Sequence, residues 1–140
     1  MENDALQALS LLVVKRGVAL GGLYVREQAR VFALVWAGLP ESAMSERQIN
    51  VELQAQLASA VAFLDTDHVE LRRWLVDAGW LQRDGWGREY RRSPQPPAAA
   101  QPLAQLLDAM DVAAWVTGQR AAHEARRQAR RLAWQQQPPQ

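Results

Sequence analysis

Between Ser45 and Arg92, about 50 residues, the chain twice spells the start of a helix and then changes period. Ser45-Glu46-Arg47-Gln48 is a capping box: the Ser45 hydroxyl is placed to accept from the Gln48 amide, and the Gln48 side chain to reach back. Ile49, Leu53, Leu57 and Ala60 follow as one apolar stripe. Asp67 repeats the cap, with Glu70 three residues on. Leu71, Trp74, Leu75 and Ala78 then recur at i, i+3, i+4 and i+7, the spacing of a buried helix face, and Gly79 stops it. From there Trp80–Arg83, Asp84–Gly87 and Arg88–Arg92 read as strand, glycine-rich turn and strand.

Two more helical segments precede this run. In residues 5–21, Leu6, Leu9, Val13 and Leu20 recur at helical spacing, which predicts a helix ending near Gly21-Gly22. Val25–Ala37 carries Val31, Leu34 and Val35 on one side and is closed by Gly38 and Pro40. Three helices followed by a two-stranded hairpin is the order of a winged helix-turn-helix. The expected fold class is therefore mainly α with a small β-hairpin, a winged-helix domain with flanking helices at both ends. In that scheme Asp67–Ala78 is the recognition helix and Asp84–Gly87 the wing tip. The expected divisions are an N-terminal helix over 1–22, the winged-helix domain over 23–92 and a Pro/Ala-rich linker over 93–102. An amphipathic Arg-rich helix over 103–134 and a disordered tail over 135–140 complete the chain.

The stretch from Asp67 to Asp84, with Leu71-Arg72-Arg73, Leu75-Val76-Asp77, Gly79, Leu81 and Arg83, followed by Gly87 and Tyr90-Arg91-Arg92, resembles a bacterial domain-of-unknown-function family, DUF2087. Upstream, Glu46-Arg47-Gln48-Ile49-Asn50-Val51-Glu52-Leu53 is similar to that family's E-x-x-V-N-x-x-L element, with Ile49 in place of Val. The resemblance spans about Gly22 to Arg92. It implies a winged-helix-like module associated with bacterial transcriptional regulators, and it implies no catalytic activity.

Charge decides which partners such a module suits. The 16 basic and 15 acidic residues leave a net charge of +1, which is not that of a bulk nucleic-acid binder. Residues 45–92 hold seven basic and eight acidic groups; residues 93–140 hold five and three, all five being Arg between Arg120 and Arg131. The chain has no cysteine, which excludes disulfides and thiolate metal sites. The acidic start and the absence of a long apolar run argue against a secretory signal and a membrane span, so a cytoplasmic protein is expected.

The expected DNA contacts are Arg72 and Arg73 on the recognition helix, with Arg88, Arg91 and Arg92 on the hairpin, reaching phosphates or guanine edges. The competing role for Arg72 or Arg73 is an internal pair with Asp77 or Asp84. A solvated strand face competes for the hairpin arginines, which include Arg83. Val69 and Val76 share the outer face of the recognition helix. With Trp86 at the Gly-flanked tip they are the expected partner-binding residues, Trp86 either folding back or facing a partner. Asp65, Asp67 and His68 have the spacing of a helix-capping cluster as much as of a metal site, so no metal is expected. No nucleophile elbow, phosphate loop or zinc signature is present. Catalytic residues and cofactors are therefore not expected.

After the linker, Leu103, Leu106, Leu107, Met110 and Ala114 form a helical stripe that either packs on the N-terminal helix or makes a dimer seam; the first four are the expected seam of a homodimer. The basic end of that helix is placed to meet nucleic-acid backbone or to serve solubility. The two function classes are thus a DNA-binding regulator and, as the alternative, a non-enzymatic protein-interaction adaptor.

Overall fold

The computed structural model describes residues 2–136. In chain order it has α1 (Glu2–Leu12), a 3₁₀ turn (Leu20–Gly22), α2 (Val25–Ala37), β1 (Met44–Ser45), α3 (Glu46–Leu57), α4 (His68–Asp77), β2 (Leu81–Arg83), β3 (Glu89–Arg92), a second 3₁₀ turn (Ala98–Ala100), α5 (Gln101–Asp108) and α6 (Val112–Gln135). The chain is mainly helical with a small antiparallel sheet of order β1-β3-β2, consistent with a winged-helix-like arrangement.

The caps form as the sequence spells them. Ser45 Oγ accepts from the Gln48 amide at 3.1 Å, and the Ser45 amide donates to Gln48 Oε1 at 2.9 Å. Asp67 Oδ1 accepts from the Glu70 amide at 2.8 Å, satisfying an amide that α4 itself cannot. Leu71 and Leu75 of α4 are fully buried, as are Ile49 and Leu53 of α3, while Trp74 lies tilted against Phe32 of α2. Gly79 takes φ +84, a left-handed turn that an L side chain would strain, and so sends the chain from α4 into β2.

Four departures from the sequence reading have physical causes. The hairpin is joined by a third strand: Met44 pairs with Tyr90 and Ser45 with Glu89. Two residues are too short to show a period of two. The first helix stops at Leu12, not near Gly21. Gly17 then turns at φ +64, Val18 makes a parallel bridge to Leu64, and Leu20 is buried from the 3₁₀ turn. The C-terminal helix is two helices, because Asp111 Oδ1 accepts from the Ala114 amide at 3.1 Å and starts α6 afresh.

The fourth departure is the segment 93–102, which lies against the body. Ser93, Pro96 and Ala100 are buried, and Trp36 Nε1 donates to the Ser93 carbonyl at 2.8 Å. This seats α5 on α1 and α2. Leu103 and Leu107 are buried in the same apolar core as α2, so they are not free to form a dimer seam; Leu106 and Met110 are half-buried. Residues 121–136 of α6 are exposed apart from the half-buried His123, so this part of the helix runs clear of the core. Of the tail expected to be disordered, 137–140 lies outside the described residues.

Candidate nucleic-acid interface

The wing is built by one carboxylate. Asp84 Oδ1 accepts from the amides of Arg88 at 2.8 Å and Glu89 at 3.2 Å, while the Asp84 amide donates to the Glu89 carbonyl at 3.0 Å. Gly87, at φ +68, lets the turn close. Those donated hydrogen bonds, the one from Arg88 foremost, hold the Asp84 carboxyl below its ordinary value. Between Gly85 and Gly87, Trp86 is 83% exposed and faces solvent. The register pairs Leu81 with Arg92, Gln82 with Arg91 and Arg83 with Tyr90.

Strand geometry separates the two arginines that end the wing. Successive side chains of a strand point to opposite faces. Tyr90 and Arg92 face inward and are buried, whereas Glu89 and Arg91 face outward. The Arg92 guanidinium lies 4.1 Å from the Trp36 ring centroid. It donates to Asp108 at 2.9 and 3.2 Å, to Glu41 at 3.0 Å and to the Trp36 carbonyl at 3.3 Å. Arg92 thus ties β3 to α2 and α5. This corrects its expected role, because a guanidinium enclosed in this way has no face left for DNA.

Arg72 is withdrawn in a similar manner. Its side chain is 15% exposed, donates to Asn50 Oδ1, lies 3.4 Å from Glu46 Oε1 and sits over the Tyr90 ring at 5.4 Å. It joins α4 to α3 and the sheet, through partners other than Asp77 and Asp84. Arg73, one residue on, is exposed, but its neighbours on the outer face of α4 are Glu70 and Asp77. Val69 and Val76 flank this face half-buried, and Val76 packs against the core. The outer face of α4 is thus mixed in charge, with little apolar surface.

Of the residues expected to meet DNA, Arg73 and the outward arginines of the wing remain open. Arg83, Arg88 and Arg91 are exposed, and none of these four guanidiniums has a carboxylate in ion-pair range among the described residues. Arg83 belongs with the expected set, since it ends β2 beside the turn. A second basic surface lies on α6, where Arg126, Arg127, Arg130 and Arg131 are exposed; Glu124 reaches Arg131 at 3.2 Å and Arg127 at 3.8 Å. Arg120 has another task. It donates to the carbonyls of Val13 at 3.1 Å, Ser59 at 2.7 Å and Ala60 at 3.4 Å, and so anchors α6 to the body. Burial lowers its pKa from the usual arginine value.

Asp67 caps α4, and His68 Nδ1 lies 3.4 Å from Gln54 Nε2. Among the described residues no group of three His, Cys, Asp or Glu side chains converges to hold a metal, and no helix is long and apolar enough to cross a membrane.

Residues 25–92 match the model of a family described as "Uncharacterized protein conserved in bacteria (DUF2087)". This segment is a DUF2087 domain. The match starts at the first residue of α2 and ends at the last residue of β3. It therefore takes in α2, α3, α4 and the whole sheet, and every exposed arginine of the wing belongs to the DUF2087 domain. The groups that hold Arg92 come from both sides of its boundary: Trp36 and Glu41 lie within the domain, and Asp108 lies outside it. No curated protein and no solved structure matches the chain.

Proposed function

We propose that the chain is a DNA-binding transcriptional regulator of winged-helix type that works in the cytoplasm and meets the phosphate backbone through its wing. One observation carries this reading: Arg83, Arg88 and Arg91 stand exposed and unpaired around a turn whose own acid, Asp84, is engaged by backbone amides. Guanidiniums in that state bind phosphate as charge-assisted donors. Arg73 adds a fourth contact from α4. Glu70 and Asp77 beside it disfavour deep entry of α4 into a groove, so most of the affinity is to backbone. The arginines of α6 supply a further backbone contact. A homodimer in this reading docks on Leu106, Met110 and the open length of α6, since Leu103 and Leu107 are buried within the chain.

The second reading is a protein-interaction adaptor, favoured by the 83% exposure of Trp86. The combined variant Arg83→Ala, Arg88→Ala, Arg91→Ala separates the two. The regulator reading predicts at least a ten-fold loss of affinity for duplex DNA with an unchanged melting curve. Unchanged DNA affinity would reject the wing as the contact, and capture of a protein partner lost only in Trp86→Ala would establish the adaptor.

A further inference from the structure

A groove of about 820 Å³ opens beside α2, lined by Ala5 of α1, Val25 and Ala29 of α2, Ala99 and Ala100 of the second 3₁₀ turn, and Leu103 of α5. Pro102 also lines it, and two charged side chains complete the lining, Arg26 and Arg30. We propose that this groove binds a small amphipathic carboxylate, with its hydrocarbon body against the methyl-lined walls and its carboxylate between Arg26 and Arg30.

Size and lining suit such a ligand. Small-molecule sites are concave, of roughly 300–1,000 Å³, and apolar apart from a few placed polar groups. Four of the lining residues are alanines, whose short side chains leave the space between the elements unfilled. Val25 on the lining is 80% exposed, an apolar surface that a bound hydrocarbon would cover.

Charge fixes the sign of the head group. Arg26 and Arg30 are four residues apart on α2, so their like charges share one face and repel. Both lie in the N-terminal half of α2, Arg26 in its first turn, where the helix dipole opposes a cation. Neither has a carboxylate in ion-pair range among the described residues. The acid of that first turn, Glu27, accepts instead from the Tyr24 amide at 3.2 Å. A carboxylate held by both guanidiniums relieves the repulsion and the dipole at once. A second copy of the chain is a poorer fit, because a stable interface needs about 800 Å² of matching surface per partner, and a recess suits an inserted molecule.

The proposal stands independently of DNA binding, and sodium octanoate with 1-octanol as the uncharged probe tests it. Titration followed by amide NMR should show saturable shifts at Ala29, Ala99 and Leu103 with octanoate. Octanoate should bind at least ten-fold more tightly than octanol. The pair Arg26→Gln, Arg30→Gln should remove that preference and leave octanol binding as it was. Ala29→Trp should block both ligands; if that variant lacks a cooperative melt, Ala99→Trp, at an exposed position, serves instead. Equal affinity for the two ligands, shifts confined to another face, or no saturable binding would overturn the proposal. So would a sedimenting dimer that Ala99→Trp dissociates, since the groove would then be an interface between copies.

Discussion

Arg91 and Arg92 are adjacent in sequence and opposite in role. The pleat turns Arg91 to solvent and Arg92 onto Trp36, Asp108 and Glu41. On α4 the 100° step does the same to Arg72 and Arg73. Removing one partner of a buried ion pair costs about 3–5 kcal/mol when the charge left behind is itself buried. The carboxylates that Arg92→Ala leaves behind, Asp108 and Glu41, keep 35% and 83% exposure and take up water. The loss should therefore be smaller, about 1–3 kcal/mol, from the hydrogen bonds and the Trp36 contact. Urea denaturation checks this. A loss under about 1 kcal/mol would mean that Arg92 is not the tie described. By contrast Arg73→Ala should change stability by less than about 0.5 kcal/mol, as for other surface changes, yet weaken DNA binding. The inward turn of Arg92 had a signal in the sequence. It shares parity with Tyr90, and a buried Tyr at i−2 predicts an inward residue at i. The partners themselves had none, since Asp108 is 16 residues away and Glu41 is 51.

At the scale of elements, the wing and α6 carry separate predictions. Asp84 has its carboxyl held below the ordinary value, so its contribution to the turn is present above the unfolded carboxylate range. It is lost as pH falls through the folded value. Acidification should therefore weaken protection of the Arg88 and Glu89 amides, and Asp84→Asn, a neutral acceptor, should remove that pH dependence. Amide protection that ignores pH in the wild-type chain would contradict the assignment. On α6, residues 124–136 are exposed, so ending the chain after His123 should leave the melting midpoint within a degree or two. The same truncation should reduce DNA affinity by removing four arginines. Capped elements were legible because their signals are local: Ser45 with Gln48, and Asp67 with Glu70. The break at Asp111 was written in the same cap chemistry but masked by the apolar stripe running from Leu103 to Ala114. The strand at Met44–Ser45 is defined only by its pairing with Tyr90 and Glu89, contacts made across more than 40 residues of chain.

For the molecule as a whole, the sequence order of three helices and a hairpin gave the arrangement, and the motif around Asp67–Arg92 gave the family. Packing of the ends was legible only as one of two alternatives. The Pro/Ala-rich stretch reads as a linker by composition, yet Pro96 and Ala100 fit against the body, which buries Leu103 and Leu107 with the core of the DUF2087 domain. Apolar stripes announce burial without naming the surface that buries them, so the same residues suggested either packing on the N-terminal helix or a dimer seam; α5 packs on both α1 and α2. Net charge of +1 likewise hides the separation of exposed arginines on the wing and α6 from those held inside. These exposed arginines are the proposed contacts to DNA phosphates. The measurement that tests this most directly is a fluorescence-anisotropy titration of random-sequence duplex DNA across a range of salt. Each phosphate neutralised contributes about −0.9 to the slope of log affinity against log salt, so the four contacts of Arg73, Arg83, Arg88 and Arg91 predict a slope of about −3 to −4, steeper with α6. Binding with that slope supports the account; no binding at low salt, or binding indifferent to salt, contradicts it.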